Sequence, residues 1–325
     1  MCAKNEKRNH LISSLKQKIV DTLTPIITND YIYLDLPYYR NIGDILIWKG
    51  TEEFLSTIPY RCLYQCAIQT YHKLAITEDK IIIIQGGGNF GDLWRKFTNF
   101  CLKILHDFPY NKIVIMPKTV YYLDKNILLS DADLFSKHRN LIICAREENS
   151  YKILQEYFTG NTVYMLPDMA FCISQSSLKK LEAKQINKAL LLKRTDKELN
   201  NTINYSSYIT EKQFDILDWP TKGKDVNRRP EIFLLRCFLW ANRKMPILFR
   251  KLTDIYALLY FKSAMIKTGV RFISKYEKIY TTRLHAAILC CLLERPCVLF
   301  DNTYGKNSSF YKTWLSDFDN VALCS

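Results

Sequence analysis

The sequence predicts an α/β protein made of two parallel-sheet domains that face each other across a cleft. Short apolar runs rich in β-branched residues alternate with helical stretches, as expected for strands covered on both faces. The alternation occurs twice, on either side of the polar segment Ser174–Lys188. A chain of 325 residues, 48% of them hydrophobic, can form a full core in each of two domains. We therefore predict an N-terminal domain over residues 1–180 and a C-terminal domain over residues 181–325.

The individual elements follow from periodicity along the chain. An amphipathic helix over residues 10–25 comes first, with apolar side chains at helical spacing. The first domain then has predicted strands at Tyr31–Leu36, Ile81–Gln85, Ile113–Met116, Leu141–Ala145 and Val163–Leu166, and helices near 44–57, 92–107 and 147–158. The second has predicted strands at Ala189–Lys193, Phe214–Trp219, Lys278–Thr281 and Pro296–Phe300, and helices near 230–268 and 286–294. Ligands gather beyond the carboxyl ends of parallel strands, so the loops after these strands are the expected site.

Composition and charge narrow the class of protein. The formal net charge is +14, and a surface this basic attracts nucleic acid, anionic lipid or phosphorylated substrates. Nucleic acid is disfavoured because the basic residues concentrate late in the chain and no recognised nucleic-acid motif is present. The eleven cysteines form no C-x-x-C pair and no zinc-like cluster, which fits free thiols in a reducing compartment. No signal-like segment follows Met1–Asn9 and no apolar run approaches the ~20 residues that span a bilayer, so we expect a soluble, cytoplasmic protein.

A glycine-rich segment follows the second predicted strand. Residues 81–92 read IIIIQGGGNFGD, a G-x-G-x-x-G pattern of the kind that binds pyrophosphate at a helix N-terminus. A dinucleotide site also needs an acidic residue about 20 positions on, whereas the next strand ends in Pro117 and Lys118. A turn that only requires glycine is the structural alternative, but three consecutive glycines favour close approach of backbone to a ligand. The candidate binding residues are Gly86, Gly87, Gly88, Asn89 and Asp92, of which Asp92 could instead cap the following helix.

A second candidate loop follows the first predicted strand. It reads RNIGD over residues 40–44, again between a strand and a helix. Gly43 allows close backbone approach, and Asp44 either caps the helix or contacts a sugar hydroxyl. Asn41, Gly43 and Asp44 are therefore candidate binding residues.

One histidine and two arginines stand where strands end and helices begin. Arg283 and His285 lie between a strand ending near Thr281 and a helix beginning near residue 285, a position that favours an anion. Arg146 occupies the equivalent place in the first domain, where its structural alternative is pairing with Glu147 or Glu148. Arginine binds carboxylate or phosphate with two hydrogen bonds at once, so the two arginines and the histidine could surround one small anion.

Seven short segments, in order, resemble the polysaccharide pyruvyltransferase family over most of residues 31–315. They are Asn41–Asp44 (NIGD), Gln85–Asp92 (QGGGNFGD), Cys144–Ser150 (CAREENS), Leu166–Ala170 (LPDMA), Leu191–Glu198 (LLKRTDKE), Thr281–His285 (TTRLH) and Phe300–Lys306 (FDNTYGK). Each segment is weakly diagnostic alone, whereas the seven in this order are strongly so. The family often has an aspartate before the Arg-Leu-His triplet, where this chain has Thr282.

The resemblance implies a fold, a reaction and roles for particular residues. The fold would be two Rossmann-like domains, similar to GT-B glycosyltransferases. The reaction would transfer a pyruvyl group from phosphoenolpyruvate to a sugar diol of a bacterial capsular or exopolysaccharide precursor, with no metal ion or further cofactor. Arg146 and Arg283 would bind the donor, His285 would be the general acid–base group, and Asn302, in the last family segment, would be a further binding residue.

The basic region over residues 219–275 carries two interpretations. Lys and Arg are interleaved there with aromatic and aliphatic residues, above all over 233–240 and 246–262. Such a helix either packs its apolar face on the second domain or lies on an anionic membrane surface. The resemblance implies an acceptor assembled on a lipid carrier at the inner face of the cytoplasmic membrane, which favours peripheral membrane contact. The alternative enzyme is a GT-B glycosyltransferase, because the pyrophosphate of a nucleotide sugar could use the same glycines and arginines.

Overall fold

The computed structural model describes residues 2–222 and 229–324 and contains two parallel β-sheets covered by helices. The strands of the first sheet are β1 (Tyr31–Leu34), β2 (Cys62–Cys66), β3 (Ile81–Ile84), β4 (Gly87–Gly91), β5 (Ile113–Tyr121), β6 (Leu141–Ala145) and β7 (Thr162–Met165). Their order is β2-β1-β3-β5-β6-β7, with β4 beside β5, and every pairing is parallel. The four isoleucines of β3 are all buried, as helices on both faces of the sheet require.

The second sheet has five parallel strands. They are β8 (Ile186–Leu192), β9 (Phe214–Leu217), β10 (Tyr276–Thr281), β11 (Cys297–Phe300) and β12 (Val321–Cys324), in the order β12-β11-β10-β8-β9. The chain passes from the first sheet to the second between Met165 and Ile186. The predicted pair of parallel-sheet α/β domains is thus confirmed.

Helices flank both sheets. They are α1 (Cys2–Leu23), α2 (Ile42–Leu55), α3 (Arg95–Asp107), α4 (Lys125–Ser136), α5 (Glu148–Tyr157), α6 (Gln175–Lys179), α7 (Pro230–Lys244), α8 (Pro246–Tyr256), α9 (Lys262–Ser274), α10 (Leu284–Leu293) and α11 (Lys306–Phe310). The region near 230–268 is helical as predicted, and the structure divides it into α7, α8 and the start of α9. Helix α7 ends at Lys244 because Pro246 has no N–H to continue the ladder, and that proline starts α8 instead. Among the described helices, none is long and apolar enough to cross a membrane.

The glycine-rich segment is a strand rather than a loop before a helix, which corrects the prediction. Gly87 and Gly91 adopt φ values of +128° and +122°, and Gly91 comes so close to β5 that a Cβ there would lie 1.9 Å from the Tyr121 carbonyl oxygen. The glycines thus serve the pairing of β4 with β5, and α3 begins only at Arg95. The helix N-terminus that would bind a pyrophosphate is therefore not formed beside these glycines.

Helix α2 sets the relation between the two candidate loops and the second domain. Ten of its fourteen residues are buried, and a Cβ on Gly50 would lie 1.9 Å from the Met169 carbonyl oxygen. This close contact between the backbone of α2 and the backbone of Met169 places the turn at Asp168–Met169 next to α2. The N-terminus of α2, at Asn41, lies near the start of α10 because Gly43 packs against His285.

Helix α1 precedes the first sheet but contacts the second domain. Arg8 pairs with Glu294 at 2.6 Å, and Lys7 pairs with Asp319 at 2.8 Å. Its apolar side, including Ile12, is buried in the core that both domains share.

Candidate active site

One pocket of about 240 Å³ lies where the carboxyl ends of strands from both sheets meet. We call it the central pocket; it is lined by Tyr39, Asn41, Asp44, Gly88, Asn89, Trp94, Lys96, Phe97, Arg146, Arg194, Asp196, Glu198, Trp219, Lys222, Arg283, Leu284, His285 and Lys306. Six of these residues are Lys or Arg and three are Asp or Glu, so the lining has an excess of positive charge. Such a pocket suits a small, multiply charged anion.

His285 is held by a buried carboxylate. It is the second residue of α10, and its Nε2 lies 3.2 Å from Oδ2 of Asp168, which is fully buried. Burial alone would raise the pKa of Asp168, but the charges of His285 and Arg146 and the amide of Ala170 lower that pKa to about 2. An ionised carboxylate only accepts hydrogen bonds, so Nε2 of His285 carries a proton and Nδ1 is the nitrogen that can exchange one.

Gly43 has no side chain, so the His285 ring packs directly against the backbone of α2. A Cβ at this position would lie 2.5 Å from Nδ1 and 2.8 Å from Cγ of His285. Asn41 caps α2 by accepting the Gly43 N–H at 3.1 Å, and its Nδ2 donates to Asp44 at 2.7 Å. Capping is thus the work of Asn41, while Asp44 faces the pocket. The loop RNIGD thus positions Asn41 and Asp44, and the backbone of Gly43 in the same loop forms the wall against which the His285 imidazole packs.

Arg146 is buried and fixed at the end of β6. Its Nη1 donates to Asp168 at 2.9 Å, its Nε donates to Thr119 at 2.8 Å, and Glu147 lies 3.8 Å from Nε. A Cβ on Gly88 would lie 2.9 Å from Nη2 of Arg146. Asp168 therefore orients Arg146 and His285 together, one beside the other.

Arg283 is also fixed, by a carboxylate of its own domain. Its Nε donates to Oδ1 of Asp218 at 2.5 Å and its Nη2 donates to Oδ2 at 2.6 Å, while Asp196 lies 3.4 Å from Nη2. This two-bond pairing points the guanidinium along one wall of the pocket. Thr282, the departure from the family pattern, accepts the backbone N–H of Arg194 at 2.9 Å and so links two loops of the second domain.

A third charged group, which the sequence did not single out, lies around Glu198. Arg194 donates to Glu198 at 2.9 Å, and Lys306 also bonds this carboxylate. Burial opposes ionisation, yet Lys306 and Arg194 lower the pKa of Glu198; burial also lowers the pKa of Lys306. Asn302 lies behind the pocket wall, where it accepts the Lys306 N–H at 2.8 Å, so it positions Lys306 rather than lining the pocket.

The glycine strand contributes two lining residues and a polar network beneath them. Gly88 and Asn89 face the pocket, whereas Gly86 and Gly87 pack against the sheet and α2. Asn89 accepts from the buried ammonium of Lys118 at 2.8 Å, and Lys118 pairs with Asp35 at 3.3 Å. Burial raises the pKa of Asp35 to about 7 against the lowering effect of Lys118.

Asp92 lies away from the pocket and does not cap α3. Its carboxylate accepts the backbone N–H groups of Leu123 and Asp124 at 2.8–2.9 Å. It thus anchors the loop between β5 and α4, which is a structural role.

Within residues 2–222 and 229–324, no group of three or more His, Cys, Asp or Glu side chains is arranged to hold a metal ion.

A pocket at the carboxyl ends of two parallel sheets, with excess cations and a carboxylate-held histidine, is typical of an α/β enzyme and can hold an anion. The chain belongs to the polysaccharide pyruvyl transferase family, whose model matches residues 41–304. This confirms the resemblance drawn from the seven segments. The chain is thus a pyruvyl transferase that acts on polysaccharide.

Individual relatives agree with the family. The chain is 34% identical over 320 residues to "Putative pyruvyl transferase EpsO" of Bacillus subtilis (strain 168), covering 97% of this chain and 94% of that protein. It is 22% identical over 299 residues to "Pyruvyl transferase 1" of Schizosaccharomyces pombe (strain 972 / ATCC 24843), covering 87% and 69% of the two chains. The crystal structure of an uncharacterized protein of Klebsiella pneumoniae subsp. pneumoniae NTUH-K2044 has the same fold, with a TM-score of 0.61 at 20% identity over 96% of this chain and 98% of that one.

Proposed function

We propose that this enzyme takes its pyruvyl group from phosphoenolpyruvate and joins it, as a cyclic ketal, to two hydroxyls of one sugar. The observation that carries the proposal is the pair of cations beside Gly88, which lines the central pocket. The Cβ position of this glycine is 2.9 Å from Nη2 of Arg146 and 3.7 Å from Nζ of Lys306. An anionic oxygen lying against Gly88 on the pocket side would be near a guanidinium and an ammonium at once, and both are already held in place by buried carboxylates.

The donor's two anionic groups have partners on two sides of the pocket. Arg146 and Lys306 face one end of the pocket, and Arg283 lies on the wall that leads to His285. A carboxylate and a phosphate on a three-carbon frame would be neutralised between them. Because Arg283 is held by Asp218, it would act as a fixed positive charge beside the ligand and need no rearrangement as phosphate leaves.

His285 is the proposed proton donor. In the first step one sugar hydroxyl attacks C2 of the enol, C3 takes a proton from the imidazolium and becomes a methyl group, and the proton of the attacking hydroxyl passes to a phosphate oxygen of the donor, which later leaves as hydrogen phosphate. In the second step the other hydroxyl attacks C2, the C–O bond to phosphate breaks, and the hydroxyl proton returns to the imidazole. Asp168 would stabilise the charged ring in both steps, and general acid catalysis of this kind contributes ~10²–10⁴-fold.

The acceptor would occupy the outer part of the pocket. Tyr39, Trp94 and Phe97 offer apolar ring faces to a sugar, and Asp44 and Asp196 offer acceptors for its hydroxyls. The acceptor is proposed to be a polysaccharide or its lipid-linked precursor in a bacterial cell, reached from the cytoplasm.

Ligand-dependent thermal unfolding tests the donor. Phosphoenolpyruvate at about 100 times its Kd should stabilise the wild type by roughly 2.7 kcal/mol. Gly88→Ala should abolish this stabilisation, because the new methyl, 2.9 Å from Nη2 of Arg146, would displace the guanidinium that binds the anion, and the Tm without ligand reports any loss of stability. Gly160→Ala, in an exposed turn, is the matched control and should keep the stabilisation.

The comparison ligand is a nucleoside diphosphate. Stabilisation by the diphosphate and none by phosphoenolpyruvate would overturn the donor assignment in favour of a nucleotide-sugar glycosyltransferase. For the chemical step, His285→Gln should still be stabilised by phosphoenolpyruvate but should release no phosphate in the presence of acceptor. Retained turnover in this variant would remove the acid–base role of His285.

A further inference from the structure

The hairpin formed by α7 and α8 exposes an unusually large share of apolar surface. Of the nineteen large hydrophobic side chains exposed among the described residues, ten lie between residues 233 and 260. Around the turn of the hairpin, Trp240 is 64% exposed, Met245 51%, Ile247 96% and Leu248 59%. An apolar patch of this extent on an otherwise polar surface marks an interaction site.

The same surface is strongly basic. Three exposed cations accompany the apolar residues around the turn of the hairpin: Arg243, Lys244 and Lys251. The two carboxylates of α7 and α8 are turned away from that surface. Glu231 pairs with Arg229 at 3.1 Å, and Asp254 is buried.

The hairpin is firmly attached to the first domain. Asp254 accepts from Tyr38 at 2.9 Å and from Thr70 at 2.6 Å, and Asn242 donates to the Gln69 carbonyl at 2.9 Å. The exposed apolar side chains therefore belong to a fixed platform and not to a loosely packed helix. The ordinary core-packing interpretation accounts for the inner side chains, such as Ile232 and Leu235, and leaves the outer ones unexplained.

A groove beside this platform shares a wall with the central pocket. A cavity of about 440 Å³ runs between Tyr38, Tyr39 and Arg40 on one side and α7 on the other, where Leu235 and Leu239 line it. Tyr39 also lines the central pocket, so the two spaces share a wall. Whatever binds the platform lies next to the entrance for an acceptor.

We propose that the α7–α8 hairpin docks on an anionic lipid bilayer. A surface that is both apolar and cationic fits the headgroup region of such a membrane, where apolar side chains enter the acyl boundary and each cation gains about 1 kcal/mol. A second copy of the chain fits less well, because a two-fold contact through this face would bring three cations against three. Resting on the proposed function, this docking would hold the groove and the central pocket beside a lipid-carried sugar.

Vesicle co-sedimentation tests the proposal with phosphatidylcholine alone and with added phosphatidylglycerol. We expect binding only to the anionic vesicles, weakened as salt rises. Lys244→Ser combined with Lys251→Ser should weaken binding by about 30-fold, at about 1 kcal/mol per cation. Ile247→Ser combined with Leu248→Ser should weaken it by ~10-fold or more, because the inserted apolar side chains are lost.

The controls lie elsewhere on the surface. Leu123→Ser removes a side chain that is 71% exposed, and Lys137→Ser removes an exposed cation; both should leave binding unchanged. No binding to anionic vesicles at low salt, or equal loss in the control variants, would overturn the proposal. So would a stable dimer in light scattering that Ile247→Ser with Leu248→Ser converts to monomer. Stabilisation by phosphoenolpyruvate, measured on the same variants, should stay at the wild-type value, so a failed docking surface and a failed donor site give different results.

Discussion

Adding one methyl group at Gly43 should disable His285 without unfolding the protein. The methyl carbon would lie 2.5 Å from Nδ1, whereas non-bonded heavy atoms rest about 3.5 Å apart. The imidazole must therefore move by about 1 Å, and a displacement of that size costs roughly 100-fold in rate. The φ of Gly43 is not positive and the residue lies in the first turn of α2, so alanine suits the backbone there and favours the helix.

The assay is the initial rate of phosphate release from phosphoenolpyruvate in the presence of acceptor, read beside the Tm of each variant. Gly160→Ala is the steric control, since its Cβ would lie 2.8 Å from Cβ of Ser136 in a turn away from the pocket. We expect Gly160→Ala to lower Tm and keep the rate, and Gly43→Ala to keep Tm and lose about 100-fold in rate. A folded Gly43→Ala enzyme with wild-type turnover would refute the assignment of His285 as the positioned acid–base group.

Three further substitutions test the residues around the pocket. Asp168→Asn should lower the rate of phosphate release with acceptor present by about 10- to 150-fold, from ~1.5–3 kcal/mol for a hydrogen bond to a charged group. Unchanged turnover would leave Asp168 a purely structural role. Burial raises the pKa of Asp35 from 3.8 to about 7. Between these pH values the folded protein binds a proton that the unfolded chain does not. The free energy of unfolding therefore falls as pH rises from about 4 to about 7. In Asp35→Asn that slope should flatten in urea unfolding measured across pH, and a slope equal to that of wild type would contradict the shift. Asp92→Ala should lower the free energy of unfolding by ~1–3 kcal/mol, because the amides of Leu123 and Asp124 lose their acceptor. Phosphoenolpyruvate should stabilise this variant as much as it stabilises the wild type. Loss of that stabilisation would show that Asp92 takes part in ligand binding.

Sequence reasoning located the residues that follow strands and missed those that depend on contacts distant in the chain. Arg146, Arg283 and His285 were found because strand ends and helix starts are local patterns, and all three do line one pocket. Asp168 lies in the segment LPDMA, but no local pattern gave it a role, because it is 117 residues from His285 in sequence and 3.2 Å from it only in the folded chain. Lys306 likewise becomes a site residue only through Glu198, its partner in another loop.

The glycine segment is a case in which a sequence pattern predicted a phosphate-binding loop that the structure does not form. Its spacing matched a phosphate-binding loop, yet Gly91 is required because β5 passes too close for a side chain. Pattern alone does not distinguish a glycine that makes room for a ligand from one that makes room for a neighbouring strand. Among the glycines of residues 2–222 and 229–324, only Gly88 has Lys and Arg side chains within 4 Å of the place where its own side chain would be.

The position of α1 constrains how the chain can fold. Lys7 and its partner Asp319 are 312 residues apart in sequence, so this contact forms only after the last strand of the second sheet is in place. Until then the apolar side of α1, with Ile12, Ile19 and Leu23, stays exposed to solvent. Contacts at such separation slow folding and prolong the lifetime of intermediates that aggregate. A shortened chain that lacks its final strand would therefore leave its first helix without a binding surface and should accumulate as insoluble protein.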